Sequence, residues 1–159
     1  MGPLASAAQA QKYHDYLKVG CDEARLETPT HDSTSNQGYF VRPTIFSEVG
    51  PRSRLAQEEV FSPILAFLPV TSFEEAVQVV NDSAYGLSAG IVTQRLDIAL
   101  RFTNEVEAGV VKVNQPTTGV AMNAPFGGMK QSSTQTFKEQ AGATMMQFYT
   151  HEKTAYLTA

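Results

Sequence analysis

Between Ile64 and Val113 apolar runs of strand length alternate with helix-patterned segments, and this alternation constrains the fold more than any other feature of the chain. The runs are Ile64 to Val70, Ser88 to Thr93 and Gly109 to Val113. The segments between them are Phe73 to Val80, opened by Ser72 and Glu75 as a capping box, and Leu96 to Val106, with Leu96, Ala99, Leu100 and Thr103 expected on one face. Strand, helix, strand, helix, strand in that order is the pattern of right-handed crossover units in a mostly parallel sheet, so the expected class is α/β. Ahead of it, Ser6 caps an expected helix running to about Cys21, with Ala10, Tyr13, Tyr16 and Leu17 at three- and four-residue steps. Thr28 to Gly38 is polar and turn-rich, which predicts a loop. Tyr39 to Phe46 reads as a strand interrupted by Pro43, hence an edge or a bend. After Val113 come a long Gly/Pro/Thr loop, an expected short helix near 137–141, and a terminal strand or pair of strands from Met146 to Leu157 that includes Phe148, Tyr149 and Tyr156.

A chain of 159 residues is large enough to bury a core of its own. Twelve basic against 16 acidic side chains give a net charge of −4 and no basic footprint, which argues against nucleic acid as a partner. No apolar run reaches membrane-spanning length and no signal peptide opens the chain, so a soluble cytoplasmic protein is expected. The single cysteine, Cys21, leaves no internal disulfide. It ends the first expected helix beside Asp22 and Glu23, negative surroundings that suit an ordinary small side chain better than a nucleophile. His14, His31 and His151 lack metal-ligand spacing, so no metal site is expected.

Open α/β sheets hold ligands beyond the C-terminal ends of their strands, which directs attention to the loop from Asn114 to Ser133. There Gly127 and Gly128 permit either a tight turn or the close approach of a ligand. Glu59 and Phe61 stand two apart in a segment ending at Pro63, and in an extended segment their side chains would point the same way. A carboxylate beside an aromatic face suits a ribosylated planar ring, the acid accepting from the ribose hydroxyls. The alternative is an exposed Glu next to a core Phe.

Several motifs carry a family resemblance: Gly2-Pro3-Leu4, Gln9, Lys12, Gly38-Tyr39-Phe40-Val41, Glu58-Glu59-Val60-Phe61, Pro63, Tyr85-Gly86-Leu87, Val113-Asn114, Pro125-Phe126-Gly127-Gly128 and Lys130. In that order and spacing the chain resembles the aldehyde dehydrogenase superfamily from end to end. Lys112 to Gly119, Asn123 to Gly128 and Gln131 to Thr134 are similar to the α-ketoglutaric semialdehyde (2,5-dioxovalerate) dehydrogenases. The resemblance implies a partial aldehyde dehydrogenase catalytic domain over 1–145, and over 146–159 a C-terminal strand for subunit association. It implies oxidation of an aldehyde to an acid through a cysteine adduct, with hydride passing to NAD or NADP. It places Glu59 at the cofactor ribose, Phe61 beside the nicotinamide and Phe126 in the aldehyde pocket. Glu139 would be a proton relay, although Thr136-Phe137-Lys138 departs from the family's pattern there. Asn114, Gln115, Thr117, Thr118 and Asn123 would offer donors to a substrate ending in a carboxylate.

By the same resemblance, the dinucleotide-binding part and the nucleophilic Cys would precede Gly2. The chain is therefore expected to form the C-terminal part of such an enzyme, inactive alone, meeting the small aldehyde only in the parent enzyme. The alternative is a non-catalytic assembly module that associates with itself, as at least a dimer, or complements an N-terminal piece, because an open sheet edge invites pairing.

Overall fold

The computed structural model describes residues 1–29, 38–119, 121–133, 142, 145–146 and 149–158. The chain is an α/β protein in which, among the described residues, two strand pairings are parallel and two antiparallel, so the sheets are mixed and not mostly parallel as expected; it divides into two compact units, Met1–Phe73 and Glu74–Ala159.

In the first unit, helix α1 (Ala7–Glu23) starts where Ser6, extended, accepts a hydrogen bond from the Gln9 N–H at 3.3 Å. It stops at Ala24, also extended, and β1 (Arg25–Leu26) follows. Strand β2 (Thr44–Ser47) lies between β1 and β3 (Ile64–Ala66), antiparallel to the first and parallel to the second. Pro43 therefore neither interrupts the strand nor marks an edge. A residue without an N–H cannot join a central ladder, so β2 begins one residue later, with the Thr44 N–H donating to Pro63 O at 2.9 Å. The parallel β2–β3 pair needs a crossover, which carries the one-turn helix α2 (Arg54–Gln57). The core is Phe46 (0% exposed), Val49 and Leu55, with Tyr16 and Leu17 of α1 packed on it. Gly20 lets α1 approach this closely, since a Cβ there would lie 2.3 Å from Phe46 Cζ.

Helix α3 (Phe73–Asn81) starts at the last residue of the first unit, and the second unit takes in the rest of it and continues through β4 (Tyr85–Gly86), β5 (Ser88–Ile91), α4 (Leu96–Glu105), β6 (Val110–Val113) and β7 (Met129–Lys130). Strands β5 and β6 pair in parallel through α4, from Ser88 opposite Val110 to Ile91 opposite Val113, while β4 pairs antiparallel with β7. The first expected strand thus pairs with β2, and the second and third with each other, because periodicity sets a strand's faces but not its neighbour. Helix α4 buries Ala99 and Phe102, followed by Val106, while Leu96 (73%) and Leu100 (55%) are exposed. Of the expected face of Leu96, Ala99, Leu100 and Thr103, only Ala99 is buried: the helix has apolar residues on two sides, and the side shared by Ala99 and Phe102 is the one that packs.

The expected terminal strand does not form among its described residues. Met145, Met146 and Tyr149 are helical, and 150–158 pairs with no strand. An extended segment becomes a strand only against an edge, and Tyr156 (94%) and Leu157 (96%) are exposed. The helix expected near 137–141 and most of the expected loop at 28–38 lie outside the described residues. Among the described residues no helix is long and apolar enough to cross a membrane.

Candidate functional site

The first unit presents Glu59 and Phe61 on the segment between α2 and β3. Its start is held from α1 and α2. Glu58 receives a two-pronged bond from Arg54, Nε to Oε1 at 2.8 Å and Nη2 to Oε2 at 3.0 Å, and a further bond from the Tyr16 hydroxyl. One residue on, Lys12 Nζ donates to Glu59 O at 2.8 Å. Both cations also lie over the Tyr16 ring, Lys12 Nζ at 5.7 Å and the Arg54 guanidinium at 5.4 Å from its centre. Arg54 first, then Tyr16, favours the ionised Glu58 carboxyl and lowers its pKa to about 2, while the bond to Glu58 raises that of Tyr16. The segment's end is held by the Pro63 O bond to β2.

Between these anchors the Glu59 carboxylate makes no hydrogen bond or ion pair with the described residues. Phe61 is 73% exposed, with φ +53°, a left-handed conformation rarely taken by a bulky residue. The segment is therefore not extended at Phe61, and strand alternation does not set the direction of the two side chains. The core alternative for Phe61 also fails, since the ring is exposed. Two side-chain oxygens of this unit, Gln9 Oε1 and Ser62 Oγ, are buried without a hydrogen-bond partner, and natural structures rarely leave such groups unmatched.

In the second unit the candidate loop leaves the C-terminal end of β6. Asn114, at φ +55°, accepts from the Thr93 N–H through Oδ1 and donates to Thr93 O through Nδ2, both at 2.8 Å. Its amide extends the β5–β6 pairing by one residue, which engages Oδ1 and one of the two Nδ2 hydrogens. Two cavities flank this end. One of about 750 Å³ is lined by Val92, Thr93, Gln94, Asn114, Gln115 and Pro116. The other, of about 260 Å³, is bounded by Lys112, Gln115, Ala124, Pro125 and Phe126 among others. Gln115 borders both. Thr117, Thr118 and Asn123 line neither: the Thr117 methyl lies 3.0 Å from where a Gly90 Cβ would be, and the Thr118 and Gly119 carbonyls each accept from Lys112 Nζ at 2.7 Å.

Gly128 of the glycine pair, and Gly109 opposite Gly127, serve close packing of backbone on backbone. A Cβ on Gly109 would meet Gly127 O at 1.9 Å, and one on Gly128 would meet Ser132 O at 2.3 Å. Neither Gly127 nor Gly128 has a positive φ. Lys130, a residue of the family motif, binds the carbonyls of Asn81 (2.6 Å) and Ser83 (3.1 Å) and the Glu107 carboxylate (2.8 Å). Glu139 lies outside the described residues. Cys21 is exposed in the last turn of α1, and no group of three or more metal-binding side chains occurs among the described residues.

Comparison with known proteins decides the family. The sequence profile of the aldehyde dehydrogenase family matches residues 1–155. The chain belongs to the aldehyde dehydrogenase family. It is 45% identical over 161 aligned positions to the alpha-ketoglutarate semialdehyde dehydrogenase of Haloferax volcanii, covering 98% of this chain and 33% of that protein. The alpha-ketoglutaric semialdehyde dehydrogenase of Bacillus subtilis is 39% identical, covering 99% of this chain and 33% of that protein. Among solved structures, a 1-pyrroline-5-carboxylate dehydrogenase from Thermus with bound NAD superposes with a TM-score of 0.83 at 36% identity, over 89% of this chain and 27% of that one. The resemblance to semialdehyde dehydrogenases read from the Lys112–Gly119 and Asn123–Gly128 motifs agrees with these relatives. The chain spans about a third of the length of the curated relatives it matches.

Proposed function

We propose that these residues form the cofactor-facing and aldehyde-facing walls of an NAD(P)-dependent aldehyde dehydrogenase acting on a semialdehyde with a carboxylate terminus, as its C-terminal part. Its relatives from Haloferax and Bacillus are named for such a substrate, which supports the substrate class. The observation that carries the reading is the unengaged carboxylate of Glu59 and the outward aromatic face of Phe61 on one anchored segment. A ribose supplies hydroxyl donors and a nicotinamide supplies a planar ring, so the two residues fit both parts. When bound, the nicotinamide cofactor would accept hydride from the substrate, while Glu59 orients the ribose and Phe61 limits how the ring can lie. Gln115 and Phe126, at the smaller cavity, provide a polar and an apolar contact for the aldehyde chain. Cys21, exposed at the C-terminal and hence negative end of α1, does not act as the nucleophile, so the chain alone does not turn over. Purified protein given α-ketoglutaric semialdehyde with NAD or NADP is expected to form no reduced cofactor. Reproducible formation that Glu59→Ala abolishes would overturn this part of the proposal.

Self-association is a second reading, favoured by one observation. The stretch 150–158 pairs with no strand although it ends in the exposed Tyr156 and Leu157. Addition of this segment to a sheet edge of a second copy predicts at least a dimer by light scattering. A monomer at all concentrations tested contradicts it.

A further inference from the structure

We infer that Tyr16, with Lys12 and Arg54, is a positioning device that aims the Glu59–Phe61 segment at its ligand by gripping the neighbouring acid, Glu58. This rests on the cofactor reading above and adds to it residues that touch no ligand. The two adjacent acids are held asymmetrically. Three donors from two helices converge here: Tyr16 Oη and Arg54 take the Glu58 carboxylate, and Lys12 takes the Glu59 carbonyl. The Glu59 carboxylate, one residue away from so many donors, receives none. The network fixes the backbone on either side of the Glu58–Glu59 peptide and leaves the second carboxylate available.

The grip is also long-range where it needs to be. Arg54 and Glu58 are four apart and would pair on α2 without help, whereas Tyr16 lies 42 residues and Lys12 47 residues from their partners. Lys12 and Tyr16 are themselves one helical turn apart, so α1 holds the segment at two successive points. Beyond the grip the chain enters the left-handed turn at Phe61, a conformation that persists only where its surroundings hold it.

The test uses Tyr16→Phe, which keeps the ring under both cations and removes only the hydroxyl, with Glu58→Gln as a second variant. Two quantities are measured: amide hydrogen exchange at Glu59, Val60 and Phe61, and the affinity for NADH by saturation-transfer NMR. Both variants should speed exchange at these amides and weaken NADH binding by about three- to tenfold each, with the melting temperature within about 2 °C of the parent. In a Glu59→Ala background Tyr16→Phe should weaken NADH binding by less than it does in the parent, because part of its effect runs through that carboxylate and only the part through Phe61 remains. Unchanged exchange at 59–61, or an equal loss of affinity in the Glu59→Ala background, overturns the positioning role while leaving the cofactor reading standing. No NADH binding by the parent chain, or binding insensitive to Glu59→Ala, overturns the cofactor reading and the inference with it.

Discussion

Substituting Gly20 by alanine sets two well-measured effects against each other. Gly20 lies within α1, where alanine ordinarily stabilises by up to about 1 kcal/mol through backbone entropy. Here the new Cβ would lie 2.3 Å from Phe46 Cζ, 2.5 Å from Cε2 and 2.7 Å from Cε1. Carbon atoms pack at about 3.5–4.0 Å, so the ring or the helix must shift by more than an ångström. Phe46 is fully buried and sits on the central strand, so its ring has no free space to enter. Overpacking of this kind costs about 1–3 kcal/mol. With the clash at the upper end of that range, the propensity gain offsets only part of it, and a net loss of about 1–2 kcal/mol is expected. For a chain of this length that lowers the melting temperature by roughly 3–8 °C. Thermal melts followed by circular dichroism measure it. Phe46→Leu, destabilising alone, should recover part of the loss in the Gly20→Ala background, giving a coupling energy of about 1 kcal/mol in a double-mutant cycle. A melting temperature that rises in Gly20→Ala, or additivity with Phe46→Leu, would show that α1 does not approach β2 this closely. The same substitution should also speed amide exchange at Glu59–Phe61, since α1 carries Lys12 and Tyr16.

Three further outcomes follow from individual contacts. Glu58 has a folded pKa lowered to about 2; its contribution is therefore present above the unfolded value of about 4.3 and lost as pH falls through the folded one. Carboxyl carbon shifts should place its midpoint near 2, and Tyr16→Phe should move it upward; a midpoint above 4 in the parent refutes the Arg54–Tyr16 pairing. Asn114→Gly keeps the left-handed backbone and removes the two bonds to Thr93, for a loss of about 1 kcal/mol, while Asn114→Ala adds backbone strain for a total of about 2 kcal/mol in denaturant titrations. Equal losses would show that strain is not involved. Gly109→Ala should destabilise more than Gly20→Ala by thermal melt, because its obstacle is the Gly127 backbone and not a side chain; a milder effect contradicts the packing of the loop on β6.

Local pattern carried much of the fold. The Ser6 cap, the start of α3 at Phe73, α4 from Leu96 and the strands β5 and β6 all follow from signals contained within ten or so residues. What the sequence did not reveal depends on partners distant along the chain or on elements too short to show a period. Helix α2 is a single turn, and β1, β4 and β7 are two residues each. The pairing of β3 with β2, and the burial of Phe102 in place of Leu100, were decided by what each element packs against. Of the residues the proposed site uses, Glu59, Phe61, Gln115 and Phe126 stand out in the sequence by motif and resemblance. Tyr16, Arg54 and the role of Lys12 were not, since a tyrosine in a helix has no local mark of a bond to an acid 42 residues away. The two bonds of Asn114 to Thr93, which complete a strand pairing, were not legible either.

The most direct test of the central claim, that Glu59 and Phe61 face a nicotinamide riboside, is a saturation-transfer map of reduced nicotinamide mononucleotide on the purified chain. That probe keeps the ring and one ribose and dispenses with the adenosine half. The account predicts transfer to ring and ribose protons, with ribose transfer lost in Glu59→Ala and ring transfer lost in Phe61→Ala. A map that is the same in the parent and in both variants contradicts it.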